Sequence, residues 1–353
     1  MTHTKTVFVG LSGGVDSSVA ALRLIQQGYR VVGVFIKVWH PDFMVCNWEQ
    51  ERLDAMRVAA HLGIPFLTCD AEAAYKNGVA DYFVSEYKAG RTPNPDILCN
   101  REIKFGAFLD FAKTHGADFV ATGHYARRID VDEQATLHRG VDESKDQSYF
   151  LWTLTGEQLN KTLFPIGDTT KGNIRKEARR TGITTAAKKD SQGICFLGHV
   201  DIPEFLSHYV DLTPGDVLNS DGQVIGTHVG ALVYTVGQRH GFTLHTSDTA
   251  RSSQYVVTKD IERNTITVAP TRPHLKSHTH VVLSQSVVRE KVQVSEEIDA
   301  QFRYRQSPFR VKVLEIKTDS LVIEPIDSVE TPAVGQSCVL YRGSLCLGGG
   351  IIS

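Results

Sequence analysis

Gly10-Leu11-Ser12-Gly13-Gly14-Val15-Asp16-Ser17-Ser18 follows a short apolar run and precedes an amphipathic one. The run before it, Thr6 to Leu11 (TVFVGL), is β-branched and aromatic without charge, the pattern of a buried strand. Val15 to Gln27 places Val15, Val19 and Leu22 on one face and stops at Gly28, which predicts a helix. A strand–turn–helix of this kind aims backbone N–H groups and the positive end of a helix at one spot, which suits phosphate or pyrophosphate. No Lys follows the glycines, so the turn is not a Walker A loop. GxGxxG is absent, so it is not the dinucleotide fingerprint either. The bland alternative is an ordinary glycine-rich βα turn. The acid and hydroxyls after Gly13-Gly14 argue against it.

The chain has 353 residues, which predicts two or three domains. An apolar content of 41% with 22% charged residues describes a globular protein. No apolar run approaches the roughly 20 residues that span a membrane. The first strand begins a few residues after Met1, leaving no room for a leader, and a cytoplasmic protein is expected. The 6 cysteines stand at 46, 69, 99, 195, 338 and 346, and no CxxC pair occurs. A reducing compartment follows, with no metal site, structural zinc or iron–sulfur cluster expected. The net charge of −2 excludes a generic polyanion binder. Nucleic-acid binding would need local positive charge. Candidates are Lys88, Arg91, Arg101 and Lys104; Arg127 and Arg128; Arg175, Lys176, Arg179 and Arg180; Lys188 and Lys189; and Arg303, Arg305, Arg310 and Lys312. A solvated face is the ordinary reading of each cluster.

Strands and helices alternate through the first half. Val31–Val38, Pro65–Cys69 and Asp118–Thr122 read as strands, and Glu49–Leu62 and Arg101–His115 as helices. The fold class expected is α/β, a doubly wound parallel sheet with its ligand at the carboxyl ends of the strands. Gly123-His124 lies at one such end and the glycine loop at another. Gln158–Gly182 reads as helical. From about Pro214 strands dominate, with a hairpin signal at Asp221-Gly222 and an apolar strand at Ala231–Val236. From about His278 the pattern is β throughout, that of a small closed barrel or sandwich. Domains are expected at 1–200, 201–277 and 278–353.

Two cysteines stand in distinctive surroundings. Pro93 and Pro95 predict an extended segment over Asn94-Pro95-Asp96-Ile97-Leu98-Cys99-Asn100. Cys99 then falls at the start of the helix from Arg101, a position that favours thiolate. Asp96 is placed to act as a base, although its bare charge opposes thiol ionisation. The alternative is that Cys99 is a small buried hydrophobe. Cys195 follows Lys188-Lys189-Asp190-Ser191-Gln192-Gly193-Ile194, a basic loop that would stabilise a thiolate or persulfide; an inert cysteine is the other reading. Cys46, Cys69, Cys338 and Cys346 read as structural.

The SGGxDS loop after the first strand resembles the pyrophosphate loop of the N-type ATP pyrophosphatases. With SGGVDSS, GRTPNPDILCNREIKF, ATGHYAR, KDQSYFLW, DSQGICFLG, GQR and the terminal VGQSCVLYRGSLCLGGGII in order, essentially the whole chain resembles the tRNA-specific 2-thiouridylases (the MnmA/TrmU family). The resemblance implies an ATP-pyrophosphatase domain, a small central domain and a C-terminal β-barrel. It implies ATP, with Mg2+, on Gly10, Leu11, Ser12, Gly13, Gly14, Val15, Asp16 and Ser17, with Ile36 and Gly123 at the adenine side. It implies adenylation of O2 of a wobble uridine, then sulfur transfer from a persulfide on Cys195, with Cys99 as second thiol and Asp96 as acid/base. A Cys99–Cys195 disulfide is one implied product. Asn94, Pro95 and Asp96 would hold the target base; His124, Lys145, Asp146, Gln147, Arg303, Tyr304 and Gln336 match tRNA-contacting positions. The implied partners are tRNA and a sulfur-relay protein or cysteine desulfurase; no membrane is implied, and a monomer is expected. Ile36 stands where the family often has Met, and Gly241–Thr246 lacks the glycines that usually follow GQR. Two other readings remain: an ATP pyrophosphatase with a nitrogen nucleophile, needing no cysteine pair, and a non-catalytic tRNA-binding protein that releases no AMP.

Overall fold

The computed structural model describes residues 4–44, 48–188, 201–245 and 253–353. Cys46 and Cys195 lie outside them. Two compact units divide the chain. One comprises Met1–Ala80, Pro95–Gly198 and Tyr341–Gly348; the other comprises Asp81–Asn94, His199–Leu340 and Gly349–Ser353.

The first unit is built on a parallel sheet. β1 (Thr6–Gly10), β2 (Arg30–Lys37), β3 (Phe66–Asp70), β4 (Phe119–Ala121) and β7 (Thr162–Leu163) align in the order β3-β2-β1-β4-β7. β1 pairs with β2 on one side and β4 on the other. The chain thus reverses its direction of winding beside β1, and the carboxyl ends of β1 and β4 frame the crevice where such sheets bind ligands. Helices α1 (Val15–Gln26) and α2 (Trp48–Leu62) cover one face. There Val7, Val9 and Leu11 meet Ala21 and Leu24 of α1 and Ala55, Val58 and Ala59 of α2. The opposite face meets Phe108, whose ring would lie 3.7 Å from a Cβ on Gly10. The predicted Val15–Val19–Leu22 face of α1 packs on Ile174 and Ala178 of the helix Lys171–Arg180, so α1 is apolar on two sides.

Several predicted elements change form. The extended segment expected before Cys99 is helical from Pro95, which suits the first turn because its missing N–H has no helical partner to lose. Pro95–Leu98 is α-helical, Cys99–Ala107 is a π-helix, and Phe108–Thr114 is α-helical again. The wide turn persists to the junction, where Phe108 N–H donates to the Ile103 carbonyl five residues back. Gln158–Gly182 is not one helix. Gly156–Asn160 and Lys171–Arg180 flank β7. Gly167 between them lies where any Cβ would fall 1.7 Å from the Ala126 carbonyl oxygen. A hairpin that the sequence did not signal, β5 (Ala126–Val131) with β6 (Gln134–Arg139), turns on Asp132 (φ 47°) and Glu133 (φ 64°), two left-handed residues in place of Asn-Gly.

In the second unit, strands at Gly215–Leu218, Val224–His228, Phe242–Leu244, Tyr255–Asp260 and Thr265–Ala269 form one mixed sheet. The Asp221-Gly222 hairpin is present, with Gly222 at φ 80°. Ala231–Val236 is not a strand: Gly230 at φ 148° feeds a 3-10 turn over Ala231–Val233. Strands at Val281–Val288, Glu297–Gln301, Phe309–Ile316, Ser320–Pro325, Ser337–Arg342 and Leu345–Ile352 form a barrel that closes between its first and last members. Cys338 and Cys346 are fully buried, and burial drives the Cys338 thiol strongly upward in pKa. The helix Asp81–Lys88 joins this unit through Phe83, set edge-on to Phe205 at 5.8 Å. Among the described residues no helix is long and apolar enough to cross a membrane.

Leu24 is 1% exposed in the α1–sheet layer. Leu24→Ala is expected to lower unfolding stability by about 3 kcal/mol. Urea denaturation followed by circular dichroism checks this; a loss under about 1 kcal/mol would show that the layer collapses around the gap.

Candidate active site

The glycine loop is shaped for backbone recognition. Gly14 caps α1 in extended conformation without a side-chain cap, so the first-turn N–H groups are not consumed by a capping side chain. Gly13 has φ 66°, and a Cβ there would come within 2.7 Å of the Asp54 Cβ on α2. The loop hydroxyls brace the turn: Ser18 Oγ donates to the Gly14 carbonyl at 2.7 Å, and Ser17 Oγ accepts from Ser12 N–H at 3.3 Å. Ile36 is 6% exposed, and its Cδ1 would lie 3.6 Å from a Cβ on Gly10.

Gly123 approaches the loop from β4. A Cβ on it would lie 2.6 Å from Ser17 N, so only glycine lets the turn after β4 touch the start of α1. Its neighbours carry the contact outward. Tyr125 donates its hydroxyl to Asp16 Oδ1 at 2.8 Å. Lys171 donates to both carboxylate oxygens of Asp16, each at 2.8 Å. Asp16 is therefore held by a cation and a phenol that sequence reading did not connect with it. No local signal could, because Lys171 is 155 residues away and begins a different helix.

His124 is 6% exposed, buried against Phe105 and Phe164. Burial, and then the charge of Lys104, push its pKa well below the ordinary 6.5. Lys104 Nζ stands 3.4 Å from Nε2 and can only donate, so Nδ1 carries the proton and donates to Thr122 Oγ1 at 2.7 Å. Lys104 lies in the π-helix that begins at Cys99, and this pair joins that helix to the turn after β4. Cys99 is fully buried. It stands one turn inside a helix that starts at Pro95, so the helix-start position expected for it belongs instead to Asp96 in the first turn. Because the macrodipole acts mainly within the first turn, Cys99 stands beyond its main reach. π segments inside helices are often functional.

The positions read as tRNA contacts are placed unequally. Asp146 is 8% exposed and accepts from Gly140 N–H, Ser148 N–H, Ser148 Oγ and Arg139 Nη1. Gln147 exchanges hydrogen bonds with the Tyr125 backbone at 2.9 and 2.8 Å. Both serve the scaffold here, and Lys145 beside them is half-buried. In the second unit Arg303 pairs with Glu330 at 3.1 Å and donates to the Thr331 carbonyl at 3.2 Å; Tyr304 is half-buried. Gln336 Nε2 donates to the Thr92 carbonyl at 2.8 Å, two residues before Asn94. Of the basic clusters, Arg127 and Arg128 spend their donors on backbone carbonyls and Asp130, whereas Lys176, Arg179 and Arg180 are exposed. Among the described residues no group of three or more His, Cys, Asp or Glu could hold a metal ion.

The fold and site define a parallel-sheet domain whose glycine loop opens the N-terminus of α1 beside a clamped aspartate. Three family models match in sequence: a tRNA methyl transferase HUP domain over residues 5–199, a tRNA methyl transferase PRC-barrel domain over 203–270, and an aminomethyltransferase β-barrel domain over 278–352. The chain is 45% identical over 355 residues to the tRNA-specific 2-thiouridylase MnmA of Klebsiella pneumoniae, covering 99% of this chain and 96% of that protein. It is 47% identical over 358 residues to that of Escherichia coli, with 99% and 96% covered. The chain belongs to the tRNA-specific 2-thiouridylase family. Among solved structures, the U34-tRNA thiolase NcsA from Methanococcus maripaludis with its 4Fe–4S cluster matches 51% of this chain and 57% of its own at 18% identity, with a TM-score of 0.33. A 4-thiouridine synthetase–RNA complex with bound ATP matches 58% and 49% at 19% identity, with a TM-score of 0.35.

The lowered pKa of His124 has a signed consequence. Below the unfolded value of about 6.5 the unfolded chain binds a proton that the folded chain refuses, so this contribution to stability is whole above that pH and is lost as pH falls through it. His138 and His228 are shifted the same way, chiefly by burial. His124→Gln is expected to flatten the fall in stability between about pH 7 and pH 5 without abolishing it. Urea midpoints across that range check it; parallel curves for the two proteins would refute it.

Proposed function

We propose that this chain binds ATP on Gly10–Ser17, adenylates O2 of a tRNA wobble uridine and exchanges that oxygen for sulfur. The single observation that carries the reading is the open, glycine-capped start of α1 beside the clamped Asp16, in a chain whose full length follows its thiouridylase relatives. Attack of O2 on the α-phosphate expels pyrophosphate. The adenylated C2 then carries AMP as a leaving group, which an unmodified uracil lacks. Magnesium would enter with ATP as the counterion of its phosphates. Ile36 and Gly123 line the adenine side.

Sulfur arrives as a persulfide on Cys195 from a sulfur-relay protein or cysteine desulfurase. The terminal sulfur attacks C2 and AMP departs. The Cys99 thiolate then attacks the Cys195 sulfur, releasing 2-thiouridine and leaving a Cys99–Cys195 disulfide for reduction. In the other order, Cys99 first frees the sulfur as sulfide, which attacks C2 itself. Asp96 takes up or returns the proton. Asn94, Pro95 and Asp96 hold the base, which a single-stranded loop yields at little cost. His124, Lys145, Asp146, Gln147, Arg303, Tyr304 and Gln336 serve the tRNA side, and those buried in the scaffold act by shaping it. The enzyme works as a cytoplasmic monomer.

Unmodified tRNA incubated with the protein, ATP, cysteine and a cysteine desulfurase is expected to gain one oxygen-to-sulfur exchange at a uridine, read by nucleoside mass spectrometry. Asp16→Ala is expected to abolish AMP release. Cys195→Ser is expected to keep AMP release and lose thiolation. AMP release without thiolation by the unaltered protein, with sulfur delivery verified, would turn the assignment toward a non-sulfur ATP pyrophosphatase.

Arg303→Ala is expected to weaken tRNA binding and to reduce the slope of log affinity against log salt by about 1. Filter binding at several salt concentrations measures both. An unchanged slope and affinity would remove Arg303 from the interface.

A further inference from the structure

We propose that Lys171 is a positioning residue for adenylation, one that orients Asp16 and offsets its charge so that the loop accepts the polyphosphate of ATP. The proposal rests on the reading of Gly10–Ser17 as the ATP loop. The side chain of Lys171 is 11% exposed and forms a two-pronged contact with Asp16, Nζ lying 2.8 Å from each carboxylate oxygen. Tyr125 adds a third donor at 2.8 Å. Asp16 is the second residue of α1, beside the N–H groups that would meet phosphate. An uncompensated carboxylate there would repel an incoming polyanion, and a buried ammonium removes that penalty.

The helix start that carries the ammonium is itself fixed from several sides. Lys171 N–H donates to Asp142 Oδ2 at 2.9 Å, and hydrogen bonds from Ser144 and this N–H hold the Asp142 carboxyl below its ordinary pKa. The helix that Lys171 begins is bound to α1 by Arg23, which pairs with Glu177 at 2.7 Å and with Asp168 at 2.9 Å. Arg23 also donates to the Pro165 carbonyl and Thr169 Oγ1 just before that helix. α1 and the helix Lys171–Arg180 therefore act as one piece, with the ammonium at the end where ATP would bind. Pyrophosphate departure concentrates negative charge at that same end, where a fixed cation stabilises it without reorganisation.

The test compares Lys171→Met, Lys171→Arg and Tyr125→Phe with the unaltered protein in ATP binding at equilibrium, AMP release, KM for ATP, KM for tRNA and thermal midpoint. Asp16 is 30% exposed on its side chain, so water can solvate it when the cation is lost and the fold is expected to survive. Lys171→Met is expected to weaken ATP binding and to lower kcat/KM for ATP by about 30-fold or more, with KM for tRNA within about twofold. Lys171→Arg restores most of the loss, and Tyr125→Phe has a smaller effect in the same direction. ATP binding by Lys171→Met within about threefold of the unaltered protein would overturn the proposal. So would a joint loss of ATP and tRNA affinity with a collapsed thermal midpoint and no rescue by Arg, the signature of a structural role alone. If the unaltered protein binds ATP but does not thiolate tRNA, the thiouridylase reading fails while the ATP-binding comparison still decides the role of Lys171.

Discussion

The turn Thr122–Tyr125 is the constraint on which the first unit depends. It leaves β4 at the point where the sheet changes winding direction, and Gly123 meets the backbone of Ser17 at a distance no side chain tolerates. Each neighbour then carries a separate load. His124 takes Lys104 from the π-helix, Tyr125 takes Asp16 from the loop, and the Tyr125 backbone takes Gln147. Three segments far apart in sequence are thus brought to one turn. Interiors packed at crystal-like density transmit a misfit rather than absorb it, so a change at this turn reaches all three.

The charged groups around it follow a consistent logic. Arg23, Lys171 and Arg139 are each largely buried and each meets a carboxylate. Arg139 also lies 3.5 Å over the ring of Tyr341, whose hydroxyl is 3.2 Å from Ser148 Oγ. Breaking such a pair by removing one partner strands the other in a poorly solvated place, which costs far more than losing a surface pair. These pairs therefore hold geometry rather than add a large surplus of stability. Asp146 and Gln147 serve the scaffold by different bonds: Asp146 accepts from Gly140, Ser148 and Arg139, and Gln147 bonds the Tyr125 backbone of the turn.

Legibility in the sequence varied with the range of the interaction. β1, the glycine loop and α1 were readable because an apolar strand, paired glycines and a helical stripe are local signals. The Asp221-Gly222 hairpin was readable for the same reason. The hairpin between β5 and β6 was not, because Asp132-Glu133 lacks the glycine that normally marks left-handed turn residues. Two prolines misled the reading of the segment before Cys99: Pro95 opens a helix there, and the N–H it lacks would have no partner at that position in any case. The π form of Cys99–Ala107 carries no periodic signature distinguishable from an α-helix over nine residues.

The sequence by itself determined the class of fold, the strand–glycine loop–helix at Gly10–Ser17 and, through motifs spread over the whole chain, the family. Those properties reside in residue order, since apolar spacing and glycine placement act over a few residues. Tertiary structure alone decided which cation meets Asp16, that His124 is a buried neutral imidazole, and that Asp146 is spoken for by the scaffold. Each of these depends on groups that only folding brings together, and the energy of burying a charge is set by what stands beside it in space rather than along the chain.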